Sequence, residues 1–265
     1  MFDKGFAAAK QHWRIVLYPL LFDWLTILFA ATTVGITMSR TFGIEFVIGP
    51  VLPTVEGLMT ETNSLLGNFE AFSGDMNITW LMITLFLIWL ILAVFIEGGY
   101  YHLIWRGING KSVDVRSFLN GGKQFWLRFF LLSLLVMFLV FVGAVAGSVL
   151  MYFLGTFGFV LTVIIAVLVR VVLIYLEFVI VAEDSGVFES IDRAYQLFKA
   201  STLSDVIGFA FLMGLATAAL GLALNLIAEP WLLPVAAPVF IFVLTGFLFT
   251  LMFMMENARM RLQEA

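Results

Sequence analysis

The sequence predicts an all-α, polytopic membrane protein in which residues 1–265 form a single transmembrane domain. Three observations lead to this fold class. Hydrophobic residues make up 62% of the chain and charged residues only 12%, about half the charged share of soluble domains. Six apolar stretches are each long enough to cross a bilayer, and nearly all basic residues lie on one side of them.

The six apolar stretches are the predicted transmembrane helices. Crossing about 30 Å of hydrocarbon takes about 20 apolar residues in a helix, and lipid offers no partner to a free backbone amide, so helices are required. A β-barrel is excluded because runs such as residues 131–136 do not alternate between apolar and polar. The spans cover about 15–38, 78–104, 126–152, 157–182, 204–228 and 235–256.

The basic residues set the predicted orientation. Of the 14 Lys and Arg residues, twelve lie in the N-terminal segment, the second and fourth connections and the tail. The opposite side has only Arg40, and Arg170 lies inside the fourth span. By the positive-inside rule both termini are cytoplasmic, which in a bacterial cell means the inner membrane. We interpret the first span as a retained helix, since it is longer than a signal h-region of about 7–15 residues.

The one long outer connection, about residues 39–77, is predicted to be an acidic extracytoplasmic loop. Its apolar residues between Val55 and Phe72 recur near helical spacing, which indicates an amphipathic helix on the outer surface. Such a helix is either a lid or docking site, or a plain interfacial helix.

Composition excludes several function classes. There is no cysteine, so disulfides, thiolate metal sites and cysteine nucleophiles are excluded. Neither sign of charge forms a long run, so we expect no nucleic-acid partner. Nucleophile elbows, zincin motifs, phosphate loops and dinucleotide fingerprints do not occur. We therefore expect no enzyme activity, no cofactor and no metal site; Glu97 and His102 would meet only if their helix deforms at Gly98 and Gly99.

A threefold internal repeat is the most informative pattern in the chain. Three short amphipathic stretches, residues 2–13, 115–126 and 187–198, lead into the first, third and fifth spans from the cytoplasmic side; we call them lead-in segments. Each contains a glutamine followed two residues later by a large aromatic residue, in Gln11–Trp13, Gln124–Trp126 and Gln196–Phe198. The pattern predicts three units, each with a lead-in segment and a transmembrane hairpin, related by a pseudo-threefold axis.

The second helix of each hairpin carries a glutamate. Glu97, Glu177 and Glu256 lie about 19–21 residues into their spans, or roughly 28–32 Å, at the inner headgroup level. If the repeat holds, they occupy matching positions on the three hairpins. They either pair with basic residues of the lead-in segments or form a substrate or coupling site.

The connection after the fourth span is similar in sequence to a known group of membrane proteins. The stretch Ala182-Glu183-Asp184-Ser185-Gly186, followed by Arg193-Ala194-Tyr195, together with the lead-in segments, resembles a broad group of bacterial six-helix membrane proteins. That group includes the membrane domain of some glycerophosphoryl diester phosphodiesterases. The resemblance implies the six-helix fold, but this chain has no soluble segment long enough for a phosphodiesterase domain, so no catalytic residue is implied.

Two ionisable residues lie deep in the predicted spans. Asp23 is on the inner half of the first and Arg170 is near the middle of the fourth, where an ion pair between them would neutralise both. Such a pair either locks two helices together or lines a coupling or substrate site. Arg170 and Glu177 stand about two helical turns apart, so the sequence predicts no direct bridge between them. Asn225, with Thr217 and Gly221, forms a polar stripe that either joins helices or binds a ligand.

These patterns favour a non-enzymatic, transporter-like membrane protein that handles a lipid-like or small amphiphilic molecule. The alternative is a scaffold or a regulatory subunit of a membrane complex. The expected partners are the lipid bilayer and, in the alternative, another membrane protein. A polar cavity around Asp23 and Arg170 would distinguish the first function from a dry, tightly packed bundle.

Overall fold

The computed structural model of the chain describes residues 1–33, 42, 47–54, 76–227 and 229–264. Regular structure in these residues is entirely helical, which confirms the all-α prediction. The helices are α1 Phe2–Gln11, α2 Leu17–Thr33, α3 Met76–Ile108, α4 Val115–Leu154, α5 Thr156–Val172, α6 Leu176–Ala182, α7 Val187–Ala200, α8 Leu203–Ile227 and α9 Leu233–Glu264. Short 3₁₀ turns, Trp13–Val16 and Pro230–Leu232, precede α2 and α9.

Five helical stretches in the described residues are long and apolar enough to cross a membrane, so the chain has the helices of a multi-pass membrane protein. They are Leu87–Ile108, Val115–Leu154, Thr156–Ala182, Leu203–Ile227 and Pro230–Glu264. They match the second to sixth predicted spans. The first predicted span is described as far as Thr33, where α2 has 17 residues. The remainder of that span and the predicted surface helix at 55–72 lie outside the described residues.

Helix α9 lies at the centre of the bundle. Each residue from Leu244 to Met252 is buried. Tyr100 of α3 shares a hydrogen bond of 2.8 Å with Thr245 of α9, and both side chains are fully buried. Helix α1 packs on the same stretch, where a Cβ at Gly5 would lie 2.0 Å from Thr250 Oγ1 and 2.8 Å from the carbonyl oxygen of Gly246. Glycine at position 5 is therefore what lets α1 reach α9.

Helices α3 and α4 pack closely through aromatic rings set against glycines. A Cβ at Gly99 would lie 2.7 Å from the ring of Phe118, and one at Gly122 would lie 2.6 Å from the ring of Phe95. Helix α3 runs unbroken through Gly98 and Gly99, so these glycines serve packing. The deformation that would bring Glu97 to His102 does not occur.

The second lead-in segment continues directly into its span. Residues 115–126 and the third predicted span form one helix of 40 residues, which runs unbroken through Gly121 and Gly122. Asp114 caps this helix, and its carboxylate accepts a hydrogen bond of 2.7 Å from the backbone amide of Ser117. That bond lowers the pKa of Asp114. The capping contribution is thus present at neutral pH and is lost as the pH falls through the lowered pKa.

The three lead-in segments bury the same positions. The residue six before the glutamine is buried in each segment, and so is the small residue two before it, whereas the glutamine itself is exposed. The first of these buried positions holds Gly5, Phe118 and Ser190, and the second holds Ala9, Gly122 and Ala194. The spacing of four places both positions on one helical face. The first segment packs on α9, the second on α3, and the third on both α6 and α9.

Helices α4 and α5 form a hairpin that faces outward. They pack against each other at Gly158, where a Cβ would lie 2.3 Å from the carbonyl oxygen of Leu150. Only 11% and 17% of the residues are buried in the most apolar parts of α4 and of Thr156–Ala182, against 44% to 56% in the other three stretches. The outer surface of this hairpin is therefore apolar and suited to contact with lipid.

Candidate functional site

The candidate site lies at a break in the fourth predicted span. Helix α5 ends at Val172 and α6 begins at Leu176, with tight turn hydrogen bonds between them. The break brings Arg170 Nη1 to 2.6 Å from Glu177 Oε1. Residues seven apart in a continuous helix would be separated by about 10.5 Å along the axis. The prediction of no direct bridge between these residues is wrong, because it assumed an uninterrupted helix.

A non-helical segment, residues 47–54, covers the other side of Arg170. Arg170 Nε donates a hydrogen bond of 3.0 Å to the carbonyl oxygen of Ile48, and Nη2 donates to the carbonyl oxygen of Pro50. Gly49 between them has φ +82°, and a Cβ there would lie 3.1 Å from Arg170 Nε. The backbone conformation therefore favours glycine at this position, and the close approach of Arg170 leaves little room for a Cβ.

The same segment is also attached to α8. The backbone amide of Val47 donates a hydrogen bond of 3.1 Å to Thr217 Oγ1. Gly49, Pro50 and Pro53 are buried. This part of the predicted outer loop thus runs into the bundle, where its backbone groups bond to protein side chains. Non-helical backbone inside a membrane protein is stable only when it is buried in protein in this way or lines a water-filled cavity.

Helix α3 adds a second carboxylate and a phenol. Glu97 lies within electrostatic range of both Glu177 and Arg170, and the buried Tyr101 lies within range of all three. Tyr101 Oη and Glu177 Oε2 are buried and have no hydrogen-bond partner among the described residues. We call Glu97, Tyr101, Arg170 and Glu177 the charged cluster. It has two carboxylates to one guanidinium, and two buried polar atoms able to bind a further group.

Asp23 and Asn225 take other positions. Asp23 is buried in α2, at 2% exposure, and makes interactions of its own. In the described part of the chain, the carboxylate within 4 Å of Arg170 belongs to Glu177, so the predicted pair between Asp23 and Arg170 is not formed. Asn225 is fully buried in α8, and its Nδ2 donates to the carbonyl oxygen of Gly221 at 2.9 Å.

Glu256 lies outside the charged cluster. Its partner is Arg259, 3.7 Å away, and Arg259 also approaches Glu183, which pairs with Arg193 of α7. The contacts of the lead-in segments speak against the predicted match of the three glutamates. Gly5 and Phe118 hold the same position in their segments, but Gly5 contacts Thr250 and Phe118 contacts Gly99. Glu256 follows Thr250 by six residues whereas Glu97 precedes Gly99 by two, a difference of at least about 12 Å.

The geometry favours binding of a proton or of a cationic group. Glu177 is buried and Glu97 is half-buried. An excess of carboxylates in such a site is costly unless a positive charge compensates it. Sequence reasoning found Glu97, Arg170 and Glu177 but missed Tyr101 and the carbonyl groups of Ile48 and Pro50. The Gly49-Pro50 dipeptide signals a turn, but not what the turn contacts.

No known protein family, curated protein or solved structure matches the chain.

Proposed function

We propose that the chain is a non-enzymatic, transporter-like membrane protein that moves a small amphiphilic molecule, with the charged cluster as its coupling site. One observation supports the proposal most strongly. The break between α5 and α6 and the non-helical segment 47–54 both contact the ion pair of Arg170 and Glu177. Secondary transporters commonly build their substrate and ion sites from interrupted helices and exposed backbone carbonyl groups. In a purely structural bundle, a continuous helix would satisfy the same backbone groups at lower cost.

The charge balance of the cluster allows Arg170 to pair with either of two carboxylates. Arg170 neutralises one of the two carboxylates, and a proton or a cationic group on the substrate neutralises the other. Removal of that charge leaves Glu97 and Glu177 in competition for Arg170. The α5–α6 break then has two conformations, one in which Glu177 binds the guanidinium of Arg170 and one in which Glu97 binds it. Binding of the proton or the cationic group shifts the balance between these conformations, which couples binding to movement.

We further propose six spans arranged as three hairpins around a pseudo-threefold axis. The packing of the lead-in segments supports this arrangement. The second segment packs on α3, the third on α6 and also on α9, and the first on α9. Each segment therefore contacts the last helix of the preceding unit, and α1 contacts the last helix of the third unit. Their shared pattern of buried positions gives independent support. The lead-in segment, rather than the glutamate, is then the repeated element.

The orientation can be tested because the chain has no cysteine of its own. We expect Ser64→Cys to react with a membrane-impermeant maleimide from the periplasmic side, and Ser112→Cys from the cytoplasmic side of the inner membrane, as the distribution of basic residues predicts. Right-side-out and inside-out vesicles provide the two measurements. Labelling of both positions from the same side would contradict the six-span topology.

Access to the cluster tests the function itself. A transporter exposes its central site to each side in turn, so Ile48→Cys should be labelled in both kinds of vesicle. Ser64→Cys and Ser112→Cys are the matched controls, each reactive from one side. If Ile48→Cys reacts from one side only, or from neither, the segment is a fixed part of a static bundle and the transporter function is refuted.

That outcome would favour the second candidate, a scaffold or regulatory subunit. The outward-facing hairpin of α4 and α5 supports it, because another membrane protein could cover the apolar surface that lipid would otherwise contact. The labelling experiment thus separates the two functions by one measurement.

A further inference from the structure

A cavity of about 440 Å³ lies apart from the charged cluster, between α1, the α5–α6 break, the start of α8 and the end of α9. One wall is apolar and includes Phe2, Phe209 and Met254. The other wall is polar and includes Ser201, Thr202 and Ser204. The volume falls within the range of about 300–1,000 Å³ that is usual for ligand sites.

Two opposite charges line this cavity without pairing with each other. Asp205 and Arg261 both contribute to its wall, and in the described part of the chain neither has an opposite charge within 4 Å. Arg261 Nη1 instead donates a hydrogen bond of 2.9 Å to Thr202 Oγ1. Tyr175, within electrostatic range of both charges, bonds to Ser201 Oγ at 3.0 Å. The cavity therefore presents a cation and an anion that are not paired with each other, both exposed, with hydroxyl groups nearby.

The polar wall lies at the start of α8, a helix of 25 residues: Ser201 and Thr202 precede the helix, and Ser204 and Asp205 lie in its first turn. Backbone amides at a helix N-terminus favour an anion, and arginine is well suited to phosphate. A carboxylate such as Asp205 suits an ammonium group. The apolar wall suits the hydrocarbon portion of the same molecule.

We propose that this cavity binds a phosphate–ammonium zwitterion of the kind found in phospholipid headgroups. The phosphate lies between Arg261 and the hydroxyl groups of Thr202 and Ser204 at the start of α8, the ammonium lies at Asp205, and the apolar part lies against Phe2 and Phe209. The same chemistry occurs in an intact zwitterionic lipid and in its water-soluble headgroup. The assignment stands on the cavity alone and does not depend on transport through the charged cluster.

Lipid binding to charge variants tests the assignment. Delipidated protein is titrated with dioleoylphosphatidylethanolamine, which is zwitterionic, or with dioleoylphosphatidylglycerol, which is anionic, and bound lipid is counted by native mass spectrometry. Wild-type protein should prefer the zwitterionic lipid. Arg261→Ala should weaken both lipids about tenfold through loss of one charge-assisted contact, whereas Asp205→Asn should weaken only the zwitterionic lipid. Arg116→Ala, at an exposed position on α4, should change neither.

A cavity-filling variant keeps the test independent of the charges. Gly208 lines the cavity and is exposed, and a Cβ there meets nothing within 4 Å, so Gly208→Leu should narrow the cavity without disturbing the packing. Binding of the zwitterionic lipid should fall at least about tenfold while the thermal midpoint stays equal or rises, since leucine is the better helix former. The matched control is Gly143→Leu on α4, where a Cβ also meets nothing within 4 Å.

A third measurement shows whether the ligand is the intact lipid or its water-soluble headgroup. If soluble glycerophosphoethanolamine displaces the lipid from wild-type protein, the headgroup alone suffices; if only the intact lipid binds, the apolar wall is required as well. Equal binding of both lipids by wild-type protein, or full binding by Arg261→Ala or Gly208→Leu, would overturn the proposal.

Discussion

Replacing Arg170 by leucine is expected to lower the free energy of unfolding by about 3–5 kcal/mol. The substitution leaves the buried carboxylate of Glu177 without its 2.6 Å partner. It also removes the donors that hold the carbonyl groups of Ile48 and Pro50, so segment 47–54 loses its attachment to α5. The measurement is an SDS titration of the solubilised protein, followed by circular dichroism.

Double substitutions distinguish the partner of Arg170. Arg170→Leu combined with Glu177→Leu should recover the part of the lost stability that comes from the unpaired carboxylate, whereas the hydrogen bonds to Ile48 and Pro50 stay lost. Arg170→Leu combined with Asp23→Asn should remain as unstable as the single variant, since Asp23 does not hold the guanidinium. If the Glu177 double variant is no more stable than Arg170→Leu alone, the ion pair is not the source of the effect.

Substitution of Gly5 is expected to detach α1 from α9. A Cβ at this position would lie 2.7 Å from the backbone nitrogen of Thr250 and 2.8 Å from the carbonyl oxygen of Gly246, so rotation of a side chain cannot relieve the clash. Gly5→Ala should cost about 1–3 kcal/mol, and Gly5→Leu more. This result would oppose helix propensity, which favours alanine over glycine by about 1 kcal/mol.

Ala7→Leu provides the control, because Ala7 is exposed on the same helix and should tolerate the larger side chain. Limited proteolysis measures the detachment of α1 directly, since a released lead-in segment becomes accessible to protease. If Gly5→Leu is as stable and as protected as Ala7→Leu, α1 does not dock on α9 as the structure indicates.

The helix positions could be predicted from sequence because one local property determines them. The bilayer requires about 20 apolar residues per span, and hydropathy reports these directly. The fifth span was predicted at 204–228 and α8 covers Leu203–Ile227; the fourth was predicted at 157–182 and α5 with α6 covers the same range from Thr156. The six-helix resemblance and the first span remain predictions.

The site could be predicted only in part, because its geometry depends on contacts distant in sequence. Arg170 was identified by the cost of a charge in lipid. The break that turns it toward Glu177 contains Leu173, Ile174 and Tyr175, with no proline or glycine to signal it. Ile48, which accepts its hydrogen bond, is 122 residues away in sequence, and periodicity carries no information on such a contact.

The length of α4 determines how thick the surrounding bilayer must be, or how far the helix must tilt. Trp126 and Tyr152 are exposed aromatic residues near the two ends of its apolar stretch, and 26 residues of helix between them correspond to about 39 Å. Aromatic residues of this kind settle at the two interfaces. A hydrocarbon layer of about 30 Å accommodates that length when the helix tilts by roughly 40°, or when the lipids thicken locally. Because α5 packs against α4 at Gly158 and carries Arg170, a tilt of this hairpin in a thinner bilayer would change the position of the charged cluster.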